Sequence, residues 1–257
     1  MRVFVLLAAA NLCWAAGCGQ GVSGSPAVAD VNNVEPVLRN LRQATAKLSS
    51  YKCRIEYLFV QPLFESQTLK TGTMYFQRFD GRSWLRINFE TLKQDDEQEQ
   101  KYREEYLFDG VWLTHIDYQI KHVRRYQQAE PNSPVDALEL AGRNFPIIGF
   151  GKTERLKEQF RIEPLEHKAG KKAGFVGLRL SVKPDSVYKD DYKTVDFWID
   201  RNSALPAEII ATGTEEDIYE IKFVEPKVNK GIDKKVFEYR IPKGFDVETT
   251  GLGKKTG

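Results

Sequence analysis

The amino-acid sequence predicts a mainly β protein with a few helices, of the α+β class, in which a highly curved antiparallel sheet wraps round one amphipathic helix. Three observations predict it. Apolar residues recur with a period of two through most of the chain, as they do on strands with one buried face. Two Asp-Gly pairs, Asp80-Gly81 and Asp109-Gly110, separate such runs, where a tight hairpin needs residues that accept positive φ. Aromatic residues make up 12% of the chain, and aromatic side chains suit a pleated, half-buried surface. With 257 residues, 41% of them hydrophobic, a single core is enough and no second domain is required.

The elements follow in order. Val34, Val37, Leu38, Leu41, Ala44 and Leu48 recur at three- and four-residue spacing with Arg39, Arg42 and Lys47 between them, and Pro36 sits in the first turn; the pattern predicts an amphipathic helix of about five turns. Cys53, Ile55, Tyr57 and Phe59 then alternate with polar residues. Leu69 to Phe79 and Trp84 to Glu90 flank the first Asp-Gly turn, and Tyr106 to Phe108 and Val111 to Leu113 flank the second. A further hairpin runs toward Tyr126. Asp95 to Glu105 is dense in charge and reads as a solvated segment. Ser133-Pro134-Val135-Asp136 predicts a helix start, with Ser133 as cap and Asp136 in the first turn. Val135, Leu138 and Leu140 make that helix apolar, and Phe145, Ile147, Ile148 and Phe150 follow it among glycines. From Phe160 the period is two again, through Ile162, Val176 to Val182, Val195 to Ile199, Ala207 to Ala211 and Tyr219 to Phe223. About ten strands result.

The first residues are set apart as an export signal: Arg2, an apolar run from Val3 to Leu12, then Ala15, Ala16 and Gly17 before Cys18. The run is too short to span a bilayer. Two endings fit. Ala16-Gly17-Cys18 resembles the lipobox of bacterial lipoproteins, which would make 1–17 the signal, place diacylglycerol on Cys18 and leave 18–30 as a Gly/Ser-rich tether. Cleavage after Ala29, making 1–29 the signal, would instead release a soluble periplasmic protein that begins at Asp30. Residues 31–250 form the single folded domain in either case. Cys53 is then the one cysteine of the folded part and reads as a small apolar side chain buried on a strand.

Charge excludes one class of partner. Lys and Arg total 38 and Asp and Glu 36, a formal charge of +2 without basic clusters, so no nucleic acid is expected. His115, His122 and His167 lie in separate segments without metal-ligand spacing, and each reads as an exposed strand residue. No nucleophile elbow, phosphate loop or dinucleotide fingerprint occurs. The expectation is a protein without catalytic residues, metal or cofactor.

The order of these elements resembles the bacterial outer-membrane lipoprotein-sorting carriers and receptors of the LolA and LolB type, from about Val34 to Val247. Gly72-Thr73-Met74-Tyr75-Phe76-Gln77-Arg78 looks like that family's glycine, aromatic strand and arginine. Phe108-Asp109-Gly110-Val111-Trp112-Leu113 is similar to its aspartate-glycine hairpin, and Ser133 to Asn144 to its lid helix. The run from Val195-Asp196-Phe197-Trp198-Ile199-Asp200 through Leu205-Pro206 to Phe237-Glu238-Tyr239-Arg240-Ile241-Pro242-Lys243-Gly244-Phe245-Asp246-Val247 is the most specific part. Phe79 departs from the proline that commonly follows the family's arginine.

The resemblance implies an incomplete β barrel with a helical lid, which encloses a cavity for the acyl chains of a lipid or lipoprotein. Tyr57, Phe59, Tyr75, Trp84 and Trp112, read as side chains of the inner face of the sheet, are the expected lining of that cavity. Val135, Leu138, Phe145, Ile148 and Phe150 belong to the lid, and Arg78 is a latch that caps backbone groups near Ala141 to Asn144. The resemblance further implies a membrane protein of the envelope as partner. The alternative is an envelope interaction or stress-sensor protein that keeps the fold with a filled interior.

Overall fold

The computed structural model describes residues 34–144, 153–165 and 174–252. Among them are helices α1 (Val34–Ala46), α2 (Ala137–Asn144) and α3 (Thr153–Gln159). Six strands precede α2: β1 (Ser50–Gln61), β2 (Ser66–Phe79), β3 (Arg82–Gln94), β4 (Gln100–Phe108), β5 (Trp112–Asp117) and β6 (His122–Gln127). Six follow α3: β7 (Phe160–Leu165), β8 (Phe175–Val182), β9 (Tyr192–Asp200), β10 (Pro206–Gly213), β11 (Ile218–Val228) and β12 (Asp246–Thr250). All twelve lie in one sheet, in the order β12-β6-β5-β4-β3-β2-β1-β11-β10-β9-β8-β7. Two antiparallel meanders are joined where β1 pairs with β11. The outer strands β7 and β12 do not pair with each other, so the curved sheet is an incomplete barrel.

The Asp-Gly turns form as expected. Asp80 and Gly81 both take positive φ, 53° and 72°, the geometry that matches the twist of a two-residue hairpin. At the second turn Gly110 has φ 92°, and the Asp109 carboxylate accepts from the amides of Val111 and Trp112. Sheet curvature has a local cause at Gly72. A Cβ there would stand 1.9 Å from the carbonyl oxygen of Asn88, so only glycine lets β2 and β3 come this close beside the register shift between Thr71 and Gly72.

Three expectations are corrected. Helix α1 has 13 residues, fewer than five turns require, because the chain turns at Leu48 to enter β1. The amide of Leu48 donates to the carbonyl of Thr45, and Leu48 itself closes onto the core. The cap of α2 is Asp136 in place of Ser133: its Oδ1 accepts from the amides of Leu138 and Glu139, while Ser83 Oγ accepts from Ala137. Strand β12 was not among the expected strands, and it is parallel to β6.

The main core fills the inside of the curve. Val37, Leu38 and Leu41 of α1 pack against Ile55, Phe76, Leu178, Leu180, Phe197, Ile209 and Ile221. A smaller core, Leu107, Ile116 and Val123 with Tyr118, Tyr239 and Phe245, lies on the opposite face. Among the described residues no helix is long and apolar enough to cross a membrane. Residues 1–33, with Cys18, lie outside the described residues, as do Phe145, Ile148, Phe150 and His167.

Candidate functional site

The candidate site is the concave face of the sheet, and strand alternation decides which side chains it holds. Cys53, Ile55, Tyr57 and Phe59 alternate on β1, and their register partners Met74, Gly72, Lys70 and Thr68 share the same face of β2. Tyr57 packs beside Phe89 with ring centroids 6.2 Å apart, and Phe59 stacks on Tyr219 at 4.9 Å. Both stand on the concave face. Val195, Phe197, Ile199, Ile209 and Ala211 of β9 and β10 extend the same apolar wall. Burial pushes the Cys53 thiol up to about 12, and Cys53 is a buried apolar filler at the wall's base.

Three lining assignments fall on the other face. Tyr75 lies between Met74 and Phe76, which point inward, and its ring meets Lys52 on the outside. Trp84 stacks on Phe79 at 5.1 Å, and Phe237 lies against both. Trp112 carries the guanidinium of Arg125 at 4.8 Å, outside the curve. The physical reason is the segment 229–245 between β11 and β12. It crosses the outer face of β3 to β6 and buries apolar side chains there. Arg86 ties it down by donating from Nη1 to the carbonyls of Val236 at 2.7 Å and Glu238 at 3.0 Å. A strand that is apolar on both faces gives no sequence signal for which aromatic points inward.

Strand β4 carries the feature that sequence reasoning missed. Glu104 and Glu105, expected in solvent, are both 4% exposed. They are neighbours, so alternation sends them to opposite faces. Glu105 lies outside, between Arg86 at 2.7 Å and Arg103 at 2.9 Å. Glu104 lies inside. Its Oε2 accepts from Lys70 Nζ at 2.5 Å and Tyr102 Oη at 3.0 Å, and its Oε1 from Tyr106 Oη and His115 Nε2, both at 2.8 Å. Burial alone would raise its pKa, but the hydrogen bond from His115 and the charge and hydrogen bond of Lys70 outweigh it and hold the carboxyl down at about 2. His115 is therefore not the exposed residue expected from sequence: its side chain is 13% exposed and stacks on Tyr106 at 4.4 Å. The signal was present in the alternation Tyr102, Glu104, Tyr106, Phe108, which puts a carboxylate in an aromatic row.

The start of α2 converges on Arg78. Its Nε and Nη2 both reach Asp136 Oδ2 at 3.2 Å, and its Nη1 donates to the carbonyls of Thr45, at 3.2 Å, and Leu48. The carbonyls it caps thus belong to the end of α1 in place of Ala141 to Asn144, and it reaches α2 through the Asp136 cap. Val135 precedes the helix and bonds through its amide to the carbonyl of Gly110, while Leu138 is 2% exposed in the core. The base of α2 is fixed at three points, and Arg78 joins two helices at one guanidinium.

The sequence matches no family model and none of the curated proteins. Solved structures similar to the chain include MucB in the MucA/MucB complex of Pseudomonas aeruginosa, at 12% identity and TM-score 0.47, over 82% of this chain and 62% of that one. The chain thus spans about three fifths of that protein's length. They also include the lipoprotein LppX of Mycobacterium tuberculosis, at 10% identity and TM-score 0.44, over 78% of this chain and 99% of that one. Among these structural neighbours stands a LolA superfamily protein, NE2245 of Nitrosomonas europaea, at 11% identity and TM-score 0.37, over 80% of this chain and 97% of that one.

Proposed function

We propose that this protein binds acyl chains of a lipid or lipoprotein on the apolar part of its concave face, as a non-catalytic component of the bacterial cell envelope. One observation carries the reading: among the described residues the apolar wall formed by β1, β2 and β8 to β11 is covered by short helices, two of them α1 and α2, and not by a second sheet. The end of one and the cap of the other are held by a single arginine. Lifting a helix from such a wall leaves the strand ladder intact. Cover is needed, because each buried methylene contributes about 0.8 kcal/mol and a sixteen-carbon chain on the order of 13 kcal/mol. A charge-assisted hydrogen bond of about 1.5 to 3 kcal/mol at Arg78 suits a latch and is too weak to expel such a chain, so release takes a partner, a membrane protein of the envelope. The lipobox-like Ala16-Gly17-Cys18 favours a membrane-anchored form over a soluble one.

A second reading has its own observation. Val37, Leu38 and Leu41 already lie against the concave wall at 7%, 2% and 2% exposure, as in an envelope interaction or sensor protein with a filled interior. The full chain purified from its native envelope without detergent separates the two. Mass spectrometry of the protein is expected to show diacylglycerol on Cys18 and a co-purifying acyl lipid, and a fluorescent fatty acid is expected to bind the delipidated chain. Absence of lipid together with no probe binding would overturn acyl binding and favour the filled interior. A soluble protein beginning at Asp30 would overturn the anchor alone.

A further inference from the structure

The concave face is not apolar throughout. At the open end of β1, β2, β4 and β11 the wall changes into a zone of tyrosines around the Lys70–Glu104 pair. Lys70 stands directly across from Tyr57 in register, and its ammonium lies 4.9 Å from the ring centroid of Tyr102 and 5.6 Å from that of Phe89. Tyr219 stacks on Phe59 and meets Tyr192 edge-on at 6.0 Å. Tyr57, Tyr192 and Tyr219 are half-buried, and among the described residues their hydroxyls have no hydrogen-bond partner.

Within the Lys70–Glu104 pair the charges cancel, and the carboxylates of Asp191, Glu215 and Asp217 stand near Tyr192 and Tyr219. A carboxylate offers about four acceptor sites, and Glu104 has all of them filled, two donors on each oxygen. It has nothing left for a ligand cation. The positive charge of Lys70 is neutralised by Glu104 at 2.5 Å, which leaves no net charge to draw an anion. Further along the same face Arg124 and His122 both face Glu248, at 3.8 and 3.9 Å. What remains available is hydrogen bonding from the three phenols, set beside aromatic rings.

We propose that this zone seats the head group of the bound amphiphile, and that it selects a neutral, oxygen-rich head, such as an acylglycerol, against the anionic head of a fatty acid. The inference rests on the acyl-binding reading. Glu104 acts as a specificity determinant: it neutralises Lys70, and the tyrosine hydroxyls supply the contacts to ester and hydroxyl oxygens.

The test measures displacement of a fluorescent acylglycerol from the full, delipidated chain by monooleoylglycerol, oleate and oleylamine at mildly alkaline pH. Monooleoylglycerol is expected to bind about tenfold more tightly than oleate. Glu104→Gln exposes the Lys70 charge and should raise the oleate-to-monooleoylglycerol affinity ratio about tenfold. Tyr57→Phe combined with Tyr219→Phe keeps the rings and should weaken monooleoylglycerol at least severalfold, while oleylamine changes little; this pair decides the matter if Glu104→Gln does not fold. Equal affinity for monooleoylglycerol and oleate, or unchanged ratios in the variants, would overturn head-group selection while leaving acyl binding standing. Failure of the folded chain to bind any of the three would overturn both.

Discussion

On β9 and β10 the side chains inside the curve are Val195, Phe197, Ile199, Ile209 and Ala211, none more than 2% exposed. On β4 and β5 the same side of the sheet holds Tyr102, Glu104, Tyr106 and His115, joined through one carboxylate. The two arms of one sheet therefore assign their faces differently. In the β8 to β11 arm the apolar row points inward. In the β4 to β6 arm the apolar row of Leu107, Ile116 and Val123 points outward beneath Tyr239 and Phe245. What differs is the connection: the chain leaves β11 and crosses the outer face of the second arm to reach β12, and that crossing supplies a second apolar layer. Once one face is dry by this means, the inner face is free to carry hydrogen-bonding groups.

Changes on the inner wall should weigh most. Phe76, fully buried on the inner face of β2, is expected to cost about 3 to 5 kcal/mol on replacement by Ala, read by chemical denaturation; a loss under about 1 kcal/mol would mean that the inner wall is not the principal core.

The polar arm should respond to acid. The carboxyl of Glu104 is lowered from 4.5 to about 2 in the folded state, so its contribution is fully present above pH 4.5 and is lost as pH falls toward 2. The shift corresponds to about 3 kcal/mol of stability between those limits. Glu104→Gln should remove this part of the acid dependence, whereas parallel stability curves for the two proteins would place the acid-sensitive groups elsewhere.

A smaller effect is expected at Arg78, which is partly exposed but bonded to two carbonyls and a carboxylate. Arg78→Leu should lower stability by about 1 to 3 kcal/mol and speed amide hydrogen exchange of Leu138 to Leu140 more than that of β9. Uniform acceleration across both would show that Arg78 serves the fold and not the lid. The smallest effect belongs to the Arg179–Asp196 pair on the outer face of the apolar arm, where the arginine side chain is 46% exposed. Arg179→Ala should change stability by less than about 1 kcal/mol, and a larger loss would reveal an outer layer on that arm too.

The same contrast explains what the sequence discloses. Alternation and the Asp80-Gly81 and Asp109-Gly110 turns reveal nearly every strand, because a half-buried strand writes its period directly into the chain. They do not reveal which face is concave where both faces are covered, and this is why Tyr57 and Phe59 stand inside while Tyr75, Trp84 and Trp112 stand outside. Arg78 is singled out in the sequence as a residue that caps carbonyls near Ala141 to Asn144, but its partners at the end of α1 depend on where that helix ends. Glu104 and His115 were hidden for a different reason. A carboxylate enters a core only when its donors arrive from other strands, here Lys70 from β2 and His115 from β5, and a charge-rich segment read alone shows none of them.

The central claim, that acyl chains bind the apolar arm on its inner face, is tested most directly by a fatty acid bearing a photoreactive group at its terminal carbon. After irradiation with the full chain and peptide mapping, label is predicted in α1, α2 and the β9 to β11 segment, with none in 229–245. Label concentrated in 229–245 or around Trp84 and Trp112 would place the ligand on the outer face and contradict the account.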